Sequence, residues 1–95
     1  MVEIVWTENA LSDLHEIYHY ISKDSVRYAD DVLNRLFDRI EILVDFPQIG
    51  RMVPEYNNPD FKELIEGNYR IIYELQSDDR ILVLKIHHSA RPWLL

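Results

Sequence analysis

The spacing of apolar positions changes along this chain, and it divides the first half into a short strand and two helices. The stretch VEIVW, from Val2 to Trp6, is mostly β-branched or aromatic and is typical of a strand. Thr7 then occupies the position of a helix N-cap, with Glu8 in the first turn. A helix is predicted by an apolar face with spacings of three and four residues, formed by Ala10, Leu14, Ile17, Tyr18 and Ile21.

A second helix is predicted from about Ser25 to about Asp45, and Pro47 ends it. Its apolar face consists of Ala29, Val32, Leu33, Leu36, Ile40 and Leu43. At roughly 20 residues it is about 30 Å long, enough to span a domain of this size. Because the link SKDS is short, the two helices are expected to form an antiparallel pair.

Three further strands are predicted after an irregular segment, FPQIGRMVPEYNNPDF, which contains three of the four prolines. The strands are FKELIE, YRIIYELQ and RILVLKIHH, and Gly67-Asn68 between the first two is a two-residue hairpin signal. The order β-α-α-β-β-β predicts one α+β domain over residues 1–95. Its antiparallel sheet would carry the N-terminal helical hairpin on one face.

Alternation along the last strands predicts which side chains share the open face of the sheet. We expect the helices to cover Tyr69, Ile71, Tyr73, Leu75, Leu82, Leu84, Ile86 and His88. The open face would then hold Arg70, Glu74, Lys85 and His87, and the hairpin adds Phe61, Glu63 and Ile65. A slip of one residue in either hairpin would undo this grouping.

The charged residues of the open face have a structural and a functional interpretation. Glu74 and Lys85 are typical of cross-strand ion pairs, each worth less than about 1 kcal/mol. Arg70 is the stronger functional candidate, because a long cation between apolar neighbours is costly unless it meets an anion or a carboxylate. Arg91 and Trp93 follow just past the end of the last strand.

Composition narrows the classes of function. The 95 residues carry 17 acidic and 10 basic side chains, a net charge of −7, whereas proteins that neutralise phosphates normally present a basic surface. Residues 67–95 differ, with four basic residues (Arg70, Arg80, Lys85 and Arg91) against three acidic ones (Glu74, Asp78 and Asp79). Any anion-binding surface is therefore expected in the last third of the chain.

The absence of cysteine excludes disulfides and thiolate zinc sites and fits a reducing, cytoplasmic setting. The opening MVEIVWTENA does not read as a signal peptide, and no apolar run is long enough to span a membrane. His15 and His19 lie four residues apart, a spacing that can bind a metal, but no HExxH motif surrounds them. We therefore expect no metal and no cofactor.

Several stretches of the chain, in this order, resemble successive blocks of the ParE/RelE superfamily of bacterial toxins. They are WTENALSDLHEIYHYI, FPQIGRMVPE, KELIEGNYRIIYEL and ILVLKIHHSAR. The sharpest are P-x-x-G-R-x-V-P-E from Pro47, Y-R-I-x-Y from Tyr69, and H-x-x-R at His88 and Arg91. The resemblance implies the RelE/ParE-like fold and the toxin role in a type II toxin–antitoxin system. It also implies a cognate antitoxin as partner, in a heterotetramer or larger complex.

The resemblance leaves two activities open. The RelE-like branch cuts mRNA on the ribosome, with acids, bases and phosphate-binding cations on the open sheet face. For that branch the catalytic candidates are Arg70, His87 (or His88) and Arg91, and the further functional candidates are Arg51, Glu63, Lys85 and Trp93. The ParE-like branch inhibits DNA gyrase and lacks most of this set.

The charge favours the gyrase-directed branch, because an acidic surface is repelled by ribosomal RNA. A ribosome-dependent endoribonuclease is the alternative, and a third hypothesis is a degenerate, non-toxic member that binds its antitoxin. With a toxin this acidic, the antitoxin segment that wraps it is expected to be apolar with some Lys or Arg.

Overall fold

Two antiparallel helices cover one face of a five-stranded sheet in this structure, a computed structural model that describes residues 2–92. The elements are β1 (Glu3–Trp6), α1 (Glu8–Ser22), α2 (Val26–Glu41), a 3-10 turn (Ile42–Val44), β2 (Arg51–Met52), β3 (Phe61–Glu66), β4 (Tyr69–Ser77) and β5 (Arg80–His88). The predicted α+β architecture is confirmed. The short strand β2 is an addition within the segment predicted to be irregular.

Hydroxyl caps begin both helices, and the cap at Thr7 is the one that the sequence predicts. The Thr7 hydroxyl accepts a hydrogen bond from the backbone nitrogen of Ala10 at 3.0 Å, and Ser25 accepts one from Tyr28 at 3.1 Å. These caps satisfy amide groups that the first turn of a helix leaves unpaired. Within residues 2–92, no helix has the length and apolarity needed to cross a membrane.

The strand order across the sheet is β1-β5-β4-β3-β2, and the sheet is mixed. Strands β3, β4 and β5 are antiparallel as predicted, and the added β2 is antiparallel to β3, but β1 pairs in parallel with β5. The expectation of a purely antiparallel sheet is therefore wrong for this one pair, which is joined through the long connection that parallel strands require. The β3–β4 hairpin turns at Gly67, whose φ of 56° lies in the left-handed region that glycine tolerates.

The predicted positions of Leu82 and Leu84 beneath the helices are wrong, because a β-bulge interrupts the alternation of β5. Ile72 lies opposite Lys85, whereas the next residue, Tyr73, lies opposite Val83, so that Leu84 is an extra residue in the strand. Its carbonyl accepts hydrogen bonds from the side chains at the start of α1, Thr7 at 3.2 Å and Asn9 at 3.1 Å. The helices therefore cover Ile81 and Val83 instead, and both are fully buried.

The core lies between the helix pair and this face of the sheet. Its buried members include Ala10, Leu14, Val32, Leu36, Ile40, Leu43, Leu64, Ile71, Tyr73, Ile81, Val83 and Ile86. His88, predicted to pack under the helices, is half-buried and meets the ring of Tyr69 edge-on at a centroid distance of 5.1 Å. The opposite face of the sheet carries the charged residues, with the fully buried Ile72 among them.

Candidate functional site

Arg70 and His87 are cross-strand partners on the sheet face opposite the helices, as the alternation predicts. Their neighbours Ile71 and Ile86 pair with each other and belong to the core. Because alternate residues of a strand point to opposite faces, this pairing fixes Arg70 and His87 on the open side.

Glu63 lies at the centre of the open face, and its side chain is completely buried between two arginines. Its Oε2 accepts from Arg51 Nε at 2.6 Å, and its Oε1 accepts from Arg70 Nε at 2.9 Å. Arg51 is its direct partner across β2 and β3, and Arg70 lies diagonally on β4, opposite Ile65. A buried carboxylate of this kind needs charged partners, and the sheet register supplies two.

Arg70 also holds a second carboxylate, that of Glu55 in the loop after β2. Its Nη1 and Nη2 donate to the two oxygens of Glu55 at 2.9 and 2.8 Å, the parallel fork that guanidinium and carboxylate groups favour. The loop turns back through Asn57, whose φ of 49° is one that asparagine tolerates. The side chain of Arg70 is 15% exposed and engages both carboxylates at once.

Electrostatics within this ion-pair network, defined as Arg51, Glu55, Glu63 and Arg70, agree with its geometry. The hydrogen bonds from Arg70 lower the pKa of Glu55 to about 2. The same bond to Glu55, followed by that to Glu63, raises the pKa of Arg70. Two positive and two negative groups balance within the network, so Arg70 presents little net positive charge to a phosphate.

The loop that contains Pro47 and Gly50 is fastened by the hydroxyl of Tyr73. The Gly50 amide donates to this hydroxyl at 2.9 Å, and the hydroxyl donates to the Pro47 carbonyl at 3.0 Å. A Cβ at Gly50 would lie 2.5 Å from the Tyr73 hydroxyl and 2.7 Å from the Glu63 carbonyl oxygen, so a side chain does not fit. The motifs P-x-x-G-R-x-V-P-E and Y-R-I-x-Y therefore bind each other through Tyr73 and Arg70.

His87 is 7% exposed, and its side chain hydrogen-bonds a residue beyond the end of β5. Its Nε2 lies 3.1 Å from the carbonyl oxygen of Arg91, which can only accept, so Nε2 carries a hydrogen. Burial lowers the pKa of His87, the Arg91 carbonyl opposes that shift, and the nearby cations Lys85 and Arg70 reinforce it. The imidazole is therefore buried, and its lowered pKa favours the neutral form. Its Nε2 donates a hydrogen bond to the backbone carbonyl of Arg91.

Lys85, His87 and Arg91 line one shallow hollow of about 180 Å³ beside Asp13 of α1. Asp13 caps the edge of β5, since its carboxylate accepts from the Ile86 amide at 2.9 Å, and burial raises its pKa. The structure therefore places the sequence candidates in two adjoining groups, this hollow and the ion-pair network. Trp93 lies outside the described residues.

A second, larger groove of about 410 Å³ lies between the helix pair and the end of the sheet. Its floor and walls are mostly apolar or aromatic, formed by Ile17, Tyr20, Ile21, Tyr28, Val32, Tyr69, Ile86 and His88. Asp13 and Glu16 line it on the α1 side, and Arg91 lines it beyond the end of β5. Tyr20 and Tyr28 are 70% and 54% exposed, which is unusual for such large side chains within one groove.

Alternation along the strands placed Glu63 and Arg70 on one face of the sheet, but it did not place Arg51 beside them and it missed Glu55 as the second partner of Arg70. The signal was present, because Glu55 closes the same motif that contains Arg51. The fastening role of Tyr73 was also missed, since alternation shows that it is buried but not what its hydroxyl binds. His15 and His19 are both exposed on α1.

Comparison with known proteins gives consistent matches along almost the whole chain. The family model described as the ParE toxin of type II toxin–antitoxin system, parDE, matches residues 4–93. Toxin RelE2 of Caulobacter vibrioides is 30% identical over 91 residues, covering 96% of this chain and 99% of that protein. Putative toxin Y4kP of Sinorhizobium fredii is 32% identical over 94 residues, covering 97% and 95%.

A solved structure, described as the chromosomal ParDE TA system from P. aeruginosa, has the same fold. It superposes with a TM-score of 0.75, covers 93% of this chain and 96% of that one, and is 22% identical in sequence. The two chains therefore share the arrangement of a helix pair on one face of a sheet.

Proposed function

This chain belongs to the ParE toxin family of type II toxin–antitoxin systems, and from that premise we propose that it arrests growth by binding and inhibiting DNA gyrase. The proposal includes neutralisation by a cognate antitoxin and action in the cytoplasm, where gyrase works. It assigns the toxin no catalytic chemistry of its own.

The engagement of Arg70 by two carboxylates is the observation that supports this choice over ribonuclease activity. Cleavage of RNA by its own 2′-hydroxyl needs cations to stabilise the negative charge that develops on the phosphoryl oxygens. A phosphate would reach the Arg70 guanidinium only by displacing Glu55 from its two hydrogen bonds. It would then lie close to the buried carboxylate of Glu63, which also bonds Arg70. The strongest cation of the predicted ribonuclease set is therefore committed to the protein itself.

The charge and the position of His87 support the same choice. A net charge of −7 opposes docking among ribosomal RNA phosphates, whereas protein surfaces can attract an acidic partner. General base catalysis requires an imidazole within hydrogen-bond reach of the reacting hydroxyl. His87 is buried, and its Nε2 is bound to the Arg91 carbonyl.

The antitoxin has a suitable site in the groove between the helix pair and the sheet end. The exposed Tyr20 and Tyr28 and the half-buried Ile17 and Ile21 would receive apolar side chains, and Asp13 and Glu16 would attract a lysine or arginine. This matches the expectation of an apolar, basic binding segment. We further propose a heterotetramer or larger assembly, which the mass of the purified complex would measure.

A supercoiling assay tests the proposed target. Purified toxin is added to gyrase, ATP and relaxed plasmid, and supercoiling is expected to fall with toxin concentration. Supercoiling should return when the antitoxin is added in slight excess. Undiminished supercoiling at saturating toxin would reject gyrase as the target.

The alternatives are distinguished in growing cells. Primer extension on translated mRNA after toxin induction is expected to show no cuts inside codons. Such cuts in the wild type, abolished in an Arg91→Ala variant, would establish the ribonuclease instead. Arg91 suits this comparison because it is exposed, so its replacement spares the ion-pair network. Unaffected growth on induction would favour the degenerate, antitoxin-binding member.

A further inference from the structure

Two large apolar side chains stand exposed on the loop between the 3-10 turn and β2. Phe46 is 60% exposed and Ile49 is 53% exposed, and they line one shallow hollow with Asp45, Pro47 and Gln48. A single exposed apolar residue is ordinary, whereas contiguous exposed apolar side chains are typical of interaction sites. Neither residue belongs to the groove assigned to the antitoxin.

The backbone that carries Phe46 and Ile49 is fixed to the core. The buried Tyr73 hydroxyl bonds the Pro47 carbonyl at 3.0 Å and the Gly50 amide at 2.9 Å, on either side of Gln48 and Ile49. The Ile49 amide also donates to the Phe46 carbonyl at 3.2 Å. Because the loop is already ordered, a partner that binds it loses little conformational entropy in the loop.

Acidic side chains surround this apolar pair. The adjoining hollow shares Pro47 and Gln48 with the first and is lined on its other side by Asp60 and Asp78. Among the described residues that line the two hollows, Asp45, Asp60 and Asp78 are charged and none is basic. The complementary surface is therefore an apolar pocket bordered by lysine or arginine.

We propose that Phe46 and Ile49 dock into such a pocket on the DNA-binding surface of gyrase, with the three aspartates facing its basic residues. This inference rests on the proposed function. An enzyme that binds DNA carries clustered basic residues for the phosphates, and a protein of net charge −7 complements them. A second copy of this chain would bring like charges together at the same rim, which is unfavourable.

Replacement of both apolar residues provides the first test. The double variant Phe46→Ser/Ile49→Ser is expected to bind gyrase at least about tenfold more weakly in a surface-immobilised assay. Its affinity for the antitoxin should stay unchanged, which also shows that it is folded. The matched control is Leu11→Ser/Val26→Ser, because these residues are 46% and 57% exposed and lie outside both hollows and the groove.

Charge reversal provides the second test. Asp60→Lys/Asp78→Lys is expected to weaken gyrase binding at least about fivefold and to reduce its dependence on salt. Asp31→Lys/Asp38→Lys changes the net charge equally, from −7, on the exposed surface of α2, and is expected to have a smaller effect. Equal effects of the two variants would mean that overall charge, not this rim, attracts gyrase, and would overturn the inference.

The outcomes separate this inference from the proposed function. If wild-type toxin does not bind or inhibit gyrase, both fail. If wild-type toxin inhibits gyrase and the Phe46→Ser/Ile49→Ser variant inhibits it equally well, gyrase remains the target and the docking surface is wrong. A wild-type dimer in sedimentation that the same variant abolishes would assign the surface to a second copy instead.

Discussion

The guanidinium of Arg70 holds the carboxylate of Glu55 in a fork of two hydrogen bonds, 2.9 and 2.8 Å long. The two residues are fifteen positions apart, and their bond joins the loop after β2 to the central strand β4. The cation that the sequence offers for phosphate binding is thereby used to hold a loop on the sheet. We expect substitutions in this structural ion pair to change the stability of the protein and the pH dependence of that stability, not a catalytic rate.

The Glu55–Arg70 bond predicts a loss of stability in acid. The pKa of Glu55 is lowered to about 2 in the folded protein, so its stabilising contribution is full above the unfolded value near 4.3. It is lost as the pH falls through the folded value, because the unfolded chain then binds the proton more readily. Urea unfolding of Glu55→Gln should show a deficit at pH 7 that disappears near pH 2. A deficit of equal size at both pH values would contradict this assignment. The control is Asp38→Asn, which removes one exposed carboxylate on α2.

The buried carboxylate of Glu63 predicts an order of effects within the ion-pair network. Glu63→Gln leaves Arg51 and Arg70 without their shared counter-charge and should cost about 3 kcal/mol of unfolding free energy. Arg51→Ala should cost about 1 kcal/mol, since its side chain is 68% exposed and Arg70 still pairs with Glu63. Chemical denaturation at pH 7 measures both. A larger cost for Arg51→Ala than for Glu63→Gln would contradict the central position of the Glu63 carboxylate in the network.

The contact between Tyr73 and Gly50 predicts energetic coupling between the two positions. Gly50→Ala places a methyl group 2.5 Å from the Tyr73 hydroxyl, and Tyr73→Phe removes that hydroxyl together with two hydrogen bonds. Each change should cost about 1 to 3 kcal/mol. In a double-mutant cycle the sum should exceed the cost of the double variant, because the phenylalanine relieves part of the clash. Strict additivity would mean that the cost at Gly50 comes from contacts that remain in Tyr73→Phe, namely the Glu63 carbonyl oxygen at 2.7 Å and the ring carbon Cε1 at 2.9 Å.

Features of the fold that depend on local chemistry were predictable from the sequence. The cap at Thr7, the start of the second helix near Ser25 and the turn at Gly67 each depend on a few neighbouring residues, and the structure confirms them. The open face around Arg70 and His87 was also predictable, because residues 69–72 pair with residues 85–88 in regular alternation.

Features that depend on distant partners were not predictable. The bulge at Leu84 forms where the start of α1 bonds its carbonyl, between residues 75 and 77 positions apart. This contact reverses the faces of Leu82 and Val83, and no pattern within β5 indicates it. Likewise, the loop conformation decides that Glu55 reaches Arg70, so the sequence shows a cation that needs an anion but not which anion it meets.

The buried imidazole of His87 predicts a second pH effect at higher pH. Burial lowers its pKa below the ordinary value near 6.5, so the folded protein resists protonation more than the unfolded chain does. Stability should therefore decline as the pH falls below about 6.5. His87→Gln keeps a donor for the Arg91 carbonyl but does not titrate. Thermal unfolding of the variant should lose this component between pH 7 and 5, and an unchanged profile would contradict the assignment.

The position of Glu16 on the wall of the larger groove predicts the sign of the charge on the antitoxin segment that binds there. If the antitoxin segment is apolar and basic, Glu16→Lys should weaken its binding roughly tenfold, because a like charge then faces the segment. Gyrase inhibition by the free variant should be unchanged. Glu41→Lys makes the same charge change on the exposed end of α2, outside the groove, and should leave antitoxin affinity as it was. Tighter binding by Glu16→Lys, measured by calorimetry, would show instead that the segment is acidic and that the groove attracts it through other residues.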